Sequence, residues 1–296
     1  MARRLALVAA LAIVGIHCSE NTRPVKGTSR SSSKARPAVR TAPRAAMGPG
    51  TPSQAELSIQ QAMQIKRGED ALAARRPAEA LKHLSQALHT LPTSRRAAEI
   101  HLLMGQAYEM TDQHQLAIAA YEKAVALEPA QPAGHYLLAM AYKAAKRYDR
   151  AHAAIRKAIS LAPRNLAYRF DRVTIELDRG WKLQAESSYR EYEKRRNDVI
   201  ALLKAGDVRK RLLALAALAA VPSDRVNLTA LQGVLADPKP EIRAAAARAL
   251  GASGTRDPAV RKALQSRLES EQDATVSKAL RGALARLPLP PMLPRK

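Results

Sequence analysis

Residues 98–131 and 132–165 superpose without a gap when the second stretch is slid back by 34 positions. The matched columns are Met104/Leu138, Gly105/Ala139, Tyr108/Tyr142, Ala117/Ala151, Tyr121/Ile155, Ala124/Ala158 and Pro129/Pro163, each large, small or helix-breaking in both copies. A large, small and aromatic succession, then three positions spaced by four and three, then Pro, predicts two antiparallel helices. The small residues let the backbones approach, and Pro ends the second helix. One such hairpin cannot bury its own apolar face, so it needs neighbours stacked against it. A repeated hairpin therefore predicts a solenoid rather than a globule.

These columns resemble the tetratricopeptide repeat, whose signature they fill nearly completely. A third copy precedes them over residues 61–94, with Gly68, Ala71, Ala80, Leu84, Ala87 and Pro92 in register and three extra residues before the next layer. A fourth, degenerate copy follows over residues 166–199. It keeps Ala185 and Tyr189, but has Val173, Glu176, Tyr192 and Asn197 where the pattern asks for small, aromatic, small and Pro. Terminal layers need a polar outer side, and the charged run from Arg190 to Asp198 suits a capping or connecting helix.

The resemblance implies a groove lined by positions 2, 5, 9 and 12 of each first helix. Carried onto this chain, the partner-binding candidates are Glu69, Glu99, Gln106, Glu109, Tyr136, Met140, Lys143, Phe170 and Thr174, with Leu177 at the last of these positions. Aromatic and Met side chains in a groove are adaptable anchors for a partner segment. Helical spacing alone does not separate that role from packing between layers for Tyr136 and Phe170. The Lys and Asn pattern by which chaperone-adaptor repeats clamp a terminal carboxylate is absent.

All ten aromatic residues lie between Tyr108 and Tyr192, so packing changes style after that point. A second 34-residue register then appears in Val208/Ile242/Val276, Leu212/Ala246/Leu280 and Ala216/Leu250/Leu284. The stretch from Leu235 to Gly251 resembles a HEAT-like repeat, with a turn at Asp237-Pro238, then Ile242-Arg243, an alanine-rich helix and Gly251 as its stop. Arg209 and Arg243 occupy matching positions. Arg243 is expected to bond turn groups such as Asp237, rather than to serve a ligand.

The amino terminus has a different grammar. Two arginines precede an apolar run from Leu5 to Ile16, which is too short for a comfortable membrane span of ~20 residues and suits a secretory signal. The chain's only cysteine, Cys18, follows it and resembles the lipidation site of a bacterial lipoprotein, although Gly15 and His17 depart from that pattern. Lipidation of Cys18, simple cleavage and an uncleaved terminus all remain open. From Asn21 to Ser53 there are seven Lys or Arg and no acid, the composition of a disordered basic linker.

The expected organisation is a signal over residues 1–18, a linker over 19–53, tetratricopeptide layers over 54–198, HEAT-like layers over 199–287 and a Pro-rich tail over 288–296. The fold class is all-α, with two stacked α-solenoids. The formal charge of +23 is spread along the chain, and residues 98–131 are acidic, with five carboxylates against Lys123 alone. That spread favours a cationic scaffold over one dedicated nucleic-acid face.

No glycine-rich phosphate loop, serine elbow or metal-ligand spacing of the seven histidines is present, so no cofactor, metal site or small-molecule substrate is expected. The reading is a non-enzymatic adaptor of the bacterial cell envelope, in the periplasm or on the outer membrane, that binds protein partners and is held by lipid at Cys18. The alternatives are a cytoplasmic polyanion or nucleic-acid binder driven by charge, and a HEAT-like lyase or glycosylase.

Overall fold

The computed structural model describes residues 54–90, 93–221 and 223–288, so the expectations for Cys18, the linker and the tail beyond Pro288 lie outside the described residues. The chain forms two compact units, one ending at Pro92 and one beginning at Thr93. The first holds the hairpin of α1 (Gln54–Ala73) and α2 (Pro77–Leu88). The second holds α3 (Ser94–Met110), α4 (His114–Leu127), α5 (Pro132–Ala144), α6 (Tyr148–Leu161), α7 (Leu166–Arg179) and α8 (Lys182–Leu202). It continues with α9 (Val208–Ala219), α10 (Arg225–Gly233), α11 (Pro240–Ser253), α12 (Pro258–Ser270) and α13 (Ala274–Arg286). The described residues contain no strand, as expected for an all-α repeat protein.

The first four hairpins close in the same way. Arg75, Asp112, Lys146 and Gly180 all take the left-handed conformation, with φ of 57°, 57°, 58° and 91°. In each, the amide of the next residue donates back over five positions: Arg76 to Ala71, Gln113 to Tyr108, Arg147 to Tyr142 and Trp181 to Glu176, at 2.8–2.9 Å. This is the six-to-one bond that satisfies a helix's last carbonyls and turns the chain back. The fourth copy, poor in signature residues, therefore keeps the backbone of a repeat. Its glycine removes the strain that the three earlier side chains carry.

The second helices of the two clear copies stop for a local reason. Glu128 and Ala162 precede Pro129 and Pro163 and sit at φ −131°, ψ 70–74°, because proline disfavours a helical residue before it. Asn197 stands where the fourth copy would need proline, and α8 runs on to Leu202. The expected domain boundary at Asp198 thus falls inside a continuous helix.

Small residues decide how closely each hairpin closes. A Cβ on Gly105 would lie 2.3 Å from the ring of Tyr121, which is fully buried, and one on Gly68 would lie 2.8 Å from Leu84. Each glycine is the socket for the large residue of the facing helix. In the copy over residues 132–165, Ala139 and Ile155 fill the same two columns, and both are fully buried.

In the carboxy-terminal layers α11 packs between α9 and α13, and α10 and α12 lie against this row. The 34-residue register is the reason: Ile242, Val276, Ala246, Leu280 and Leu250 are all fully buried. One expectation is corrected. Gly251 is not the stop of α11, which continues to Ser253 and ends at Gly254 with φ 56°. A Cβ on Gly251 would lie 2.6 Å from the Cα of Ala283, so this glycine serves the α11–α13 approach instead.

Two glycine substitutions should therefore have opposite signs. Gly105→Ala collides with a ring that cannot move and should lower the stability of the second unit by about 2 kcal/mol or more. Gly282→Ala on α13 meets nothing within 4 Å and should raise it by up to ~1 kcal/mol through helix propensity. Urea midpoints of the two variants check both.

Candidate partner-binding face

The first helices of the layers, α3, α5 and α7, carry most of the candidate residues, and the structure gives them different roles. Tyr136 and Met140 on α5 are each only 4% exposed, and Gln106 on α3 is 7% exposed. Glu99 is exposed, and Glu109, Lys143, Phe170 and Thr174 are half-buried. Leu177, at the last lining position of α7, is 54% exposed. Glu69 belongs to the first unit, where it lies 4.0 Å from Lys66, and is described only there.

The candidates on α5 and α7 are brought together. Tyr136 stacks on Tyr168 with ring centroids 4.7 Å apart, and its hydroxyl donates to Asp171 Oδ2 at 2.9 Å. Lys143 Nζ donates to Thr174 Oγ1 at 2.6 Å and pairs with Asp178 at 3.1 Å. Phe170 sits edge-on to Tyr192 at 5.4 Å. The polar atoms of Tyr136 and Lys143 are thus engaged across one layer boundary, which holds α7 in register on α5.

Asp171, Asp178 and Tyr168 were not among the expected residues. A signal for the two aspartates existed in the spacing. The aspartate that meets Tyr136 or Lys143 lies 35 positions on, one repeat plus one residue, which places position 6 or 13 of a first helix opposite position 5 or 12 of the preceding one.

On α3, Glu109 lies near the hydroxyl of Tyr121. Burial first, and that carboxylate second, raise this phenol well above its ordinary range and keep it neutral. His135 sits with Nε2 2.8 Å from the carbonyl of Pro129, a packing role that fits its repeat position. Burial, with Lys123 second, lowers the pKa of His101 at the equivalent position.

The departure of the fourth copy has a polar core. Glu176 occupies the column of Tyr108 and Tyr142 and is fully buried. Its Oε1 meets His152 Nε2 at 3.0 Å, Gln184 Nε2 at 3.4 Å and Arg172 Nε at 3.5 Å. His152 in turn packs edge-on against Trp181 at 5.3 Å. All these contacts fall on Oε1, and Oε2 has no hydrogen-bond partner among the described residues. No group of His, Cys, Asp and Glu that could hold a metal occurs among the described residues. No described helix is long and apolar enough to cross a membrane.

The carboxy-terminal arginines are structural clasps. Arg243 donates Nη1 to the carbonyls of Asp237 and Pro238 at 2.9 and 3.1 Å, as its place just after the turn suggested. It also grips Glu271 with Nε and Nη2, both at 2.8 Å, and Arg267 holds the same carboxylate. Arg209, at the matching position, forms no ion pair among the described residues, and its amide donates to Asp207 Oδ1 at 2.8 Å. Instead Arg211 pairs with the carboxylate of Asp237.

The sequence profile of the tetratricopeptide repeat matches residues 98–131 and 132–165, and that of HEAT repeats matches residues 197–285. This chain carries tetratricopeptide repeats followed by HEAT repeats. No curated protein matches its sequence. Among solved structures, the crystal structure of MamA is 22% identical over 50% of this chain and 79% of that one, with a TM-score of 0.45. MamA from Desulfovibrio magneticus RS-1 is 19% identical over 47% of this chain and 96% of its own, with a TM-score of 0.31. A tetratricopeptide repeat protein from Parabacteroides merdae is 13% identical over 76% and 99%, with a TM-score of 0.41. Nothing about this chain's partners follows from likenesses of that size.

The HEAT clasp generates a pH prediction. Glu271 is held at about 2, against an ordinary value of 4.5, chiefly by the hydrogen bond from the Arg243 guanidinium. Its folded pKa is depressed, so its stabilisation is present above pH 4.5 and is lost as the pH falls through the window from 4.5 to about 2. Glu271→Gln should be less stable than the natural chain at pH 7, and the gap should narrow across that window. Urea midpoints at pH 7, 4, 3 and 2.5 check it.

Proposed function

We propose that this protein is a non-enzymatic scaffold of the bacterial cell envelope, and that its α3–α5–α7 face receives a segment of a partner protein. The observation that carries this reading is the division of labour on that face. Tyr136, Met140 and Lys143 form an interlocked floor, while Glu99 and Leu177 remain exposed above it. An exposed leucine at a lining position of a rigid tetratricopeptide face offers an apolar anchor without a folding cost at the moment of binding.

The envelope location rests on the amino-terminal grammar: the apolar run from Leu5 to Ile16 with Cys18 behind it. Intact mass of the protein from its native source should reveal Cys18 as the first residue, bearing a diacylglycerol. A mass that includes Met1 contradicts export.

For the face itself, a membrane-fraction extract is passed over the natural chain and over a Glu99→Lys, Leu177→Lys variant. Both positions are solvent-exposed, so the variant keeps its fold. A partner retained by the natural chain should be recovered at least about tenfold less by the variant, the scale of losing one apolar anchor. Equal recovery of every retained protein contradicts this use of the face.

A further inference from the structure

Most internal cations of the second unit are matched to carboxylates. Arg172 meets Glu191 at 2.9 Å, Arg196 meets Asp224 at 2.6 Å and Arg243 meets Glu271 at 2.8 Å. Helix α6 and its flanking turns instead gather exposed cations, six of them with a single acid between residues 146 and 164. Lys146, Arg147, Arg150, Arg156, Lys157 and Arg164 are all exposed, and none forms an ion pair among the described residues. The one acid of the stretch, Asp149, is already engaged by Arg179 at 3.3 Å. Arg147 reaches only the neutral Gln115, at 3.0 Å, and Arg150 lies 5.9 Å from the centre of the Tyr142 ring.

Their arrangement is one-sided. Ala151, Ile155 and Ala158 are fully buried and define the inner stripe of α6. At 100° per residue, Arg150, Arg156 and Lys157 flank the opposite stripe, on which lie Ala153 and Ser160. The result is a ridge of long cationic side chains over a small-residue floor. The Arg147–Gln115 bond ties the start of α6 to the start of α4, where the neighbouring Leu116 is 48% exposed.

We propose that this ridge is a docking surface for the anionic head groups of a phospholipid bilayer. Charge complementarity selects an anionic partner, since cations gathered this densely repel one another until a polyanion answers them. Two features select a bilayer over a nucleic acid. The cations stand on the outward ridge of one helix, where they meet a plane, and no ring on the ridge offers a base a stacking platform. An exposed leucine beside them can enter the boundary between head groups and acyl chains. This surface is separate from the α3–α5–α7 face, so a scaffold docked by α6 leaves that face open to a partner.

The test uses the full chain, an Arg156→Gln, Lys157→Gln, Arg164→Gln variant, and a control variant with Arg256→Gln, Lys262→Gln and Arg281→Gln in the HEAT layers. All six side chains are exposed, and thermal melts verify that all three proteins fold alike. Sedimentation is measured with vesicles containing 30% phosphatidylglycerol, with pure phosphatidylcholine vesicles, and with duplex DNA as competitor. Each cation near an anionic surface contributes about a factor of five, so removing three from α6 should weaken binding to the anionic vesicles by at least about tenfold at physiological salt. The control should lose clearly less. Equal binding of the natural chain to both vesicle types, an equal loss in the control, or no loss in the α6 variant overturns the proposal. Displacement from the anionic vesicles by stoichiometric DNA overturns it in favour of a nucleic-acid surface.

Discussion

Everything in the second unit depends on how closely neighbouring helices can approach. Where Gly105 faces Tyr121 there is no room even for a methyl group, and where Gly251 faces Ala283 the neighbour is backbone. Such contacts bring the apolar stripes of Ala and Leu to van der Waals distance. They let a chain with only 3% aromatic residues reach interior packing density. The left-handed turn at Asp112 and Lys146 then fixes the angle at which each hairpin is closed, and the prolines at 129 and 163 release the chain for the next layer. Because each layer touches little beyond its neighbours, stability is a sum of local terms and can be varied locally.

The fourth hairpin shows what happens when that scheme changes hands. It keeps the turn through Gly180 but replaces the aromatic column with Glu176, so that its core is a polar cluster with His152, Gln184 and Arg172. Without a proline at 197, α8 continues toward the HEAT layers. There Arg196, 5% exposed, bonds Asp224, whose other oxygen caps α10 through the amide of Asn227. One carboxylate thereby anchors the connecting helix and starts the next element. The two repeat types are joined by a shared helix and a half-buried ion pair, rather than by a linker.

The hairpins, their 34-residue register and the ends of α4 and α6 were legible from the sequence because they rest on local chemistry: small columns and proline. The true end of α11 was not, since Gly251 and Gly254 look alike until Ala283 is known to lie against the first. The candidate face was legible as a set of positions but not as a set of roles. Whether Tyr136 is floor or anchor depends on Tyr168 and Asp171 in the following layer. Likewise the bonds of Arg243 to its own turn could be anticipated, whereas its grip on Glu271 requires the pairing of α11 with the end of α12.

The function proposed follows from this economy, in which a rigid, serially built body leaves two outward surfaces uncommitted: the exposed positions of α3 and α7, and the cationic ridge of α6. Its central premise is that the layers are coupled chiefly to their neighbours. Amide hydrogen exchange on an Ile155→Ala variant tests that premise directly, because Ile155 is fully buried in α6. Loss of protection should be largest in α5 to α7 and should fade by α11 to α13. An equal loss of protection through the whole second unit would contradict a body built of serial hairpins.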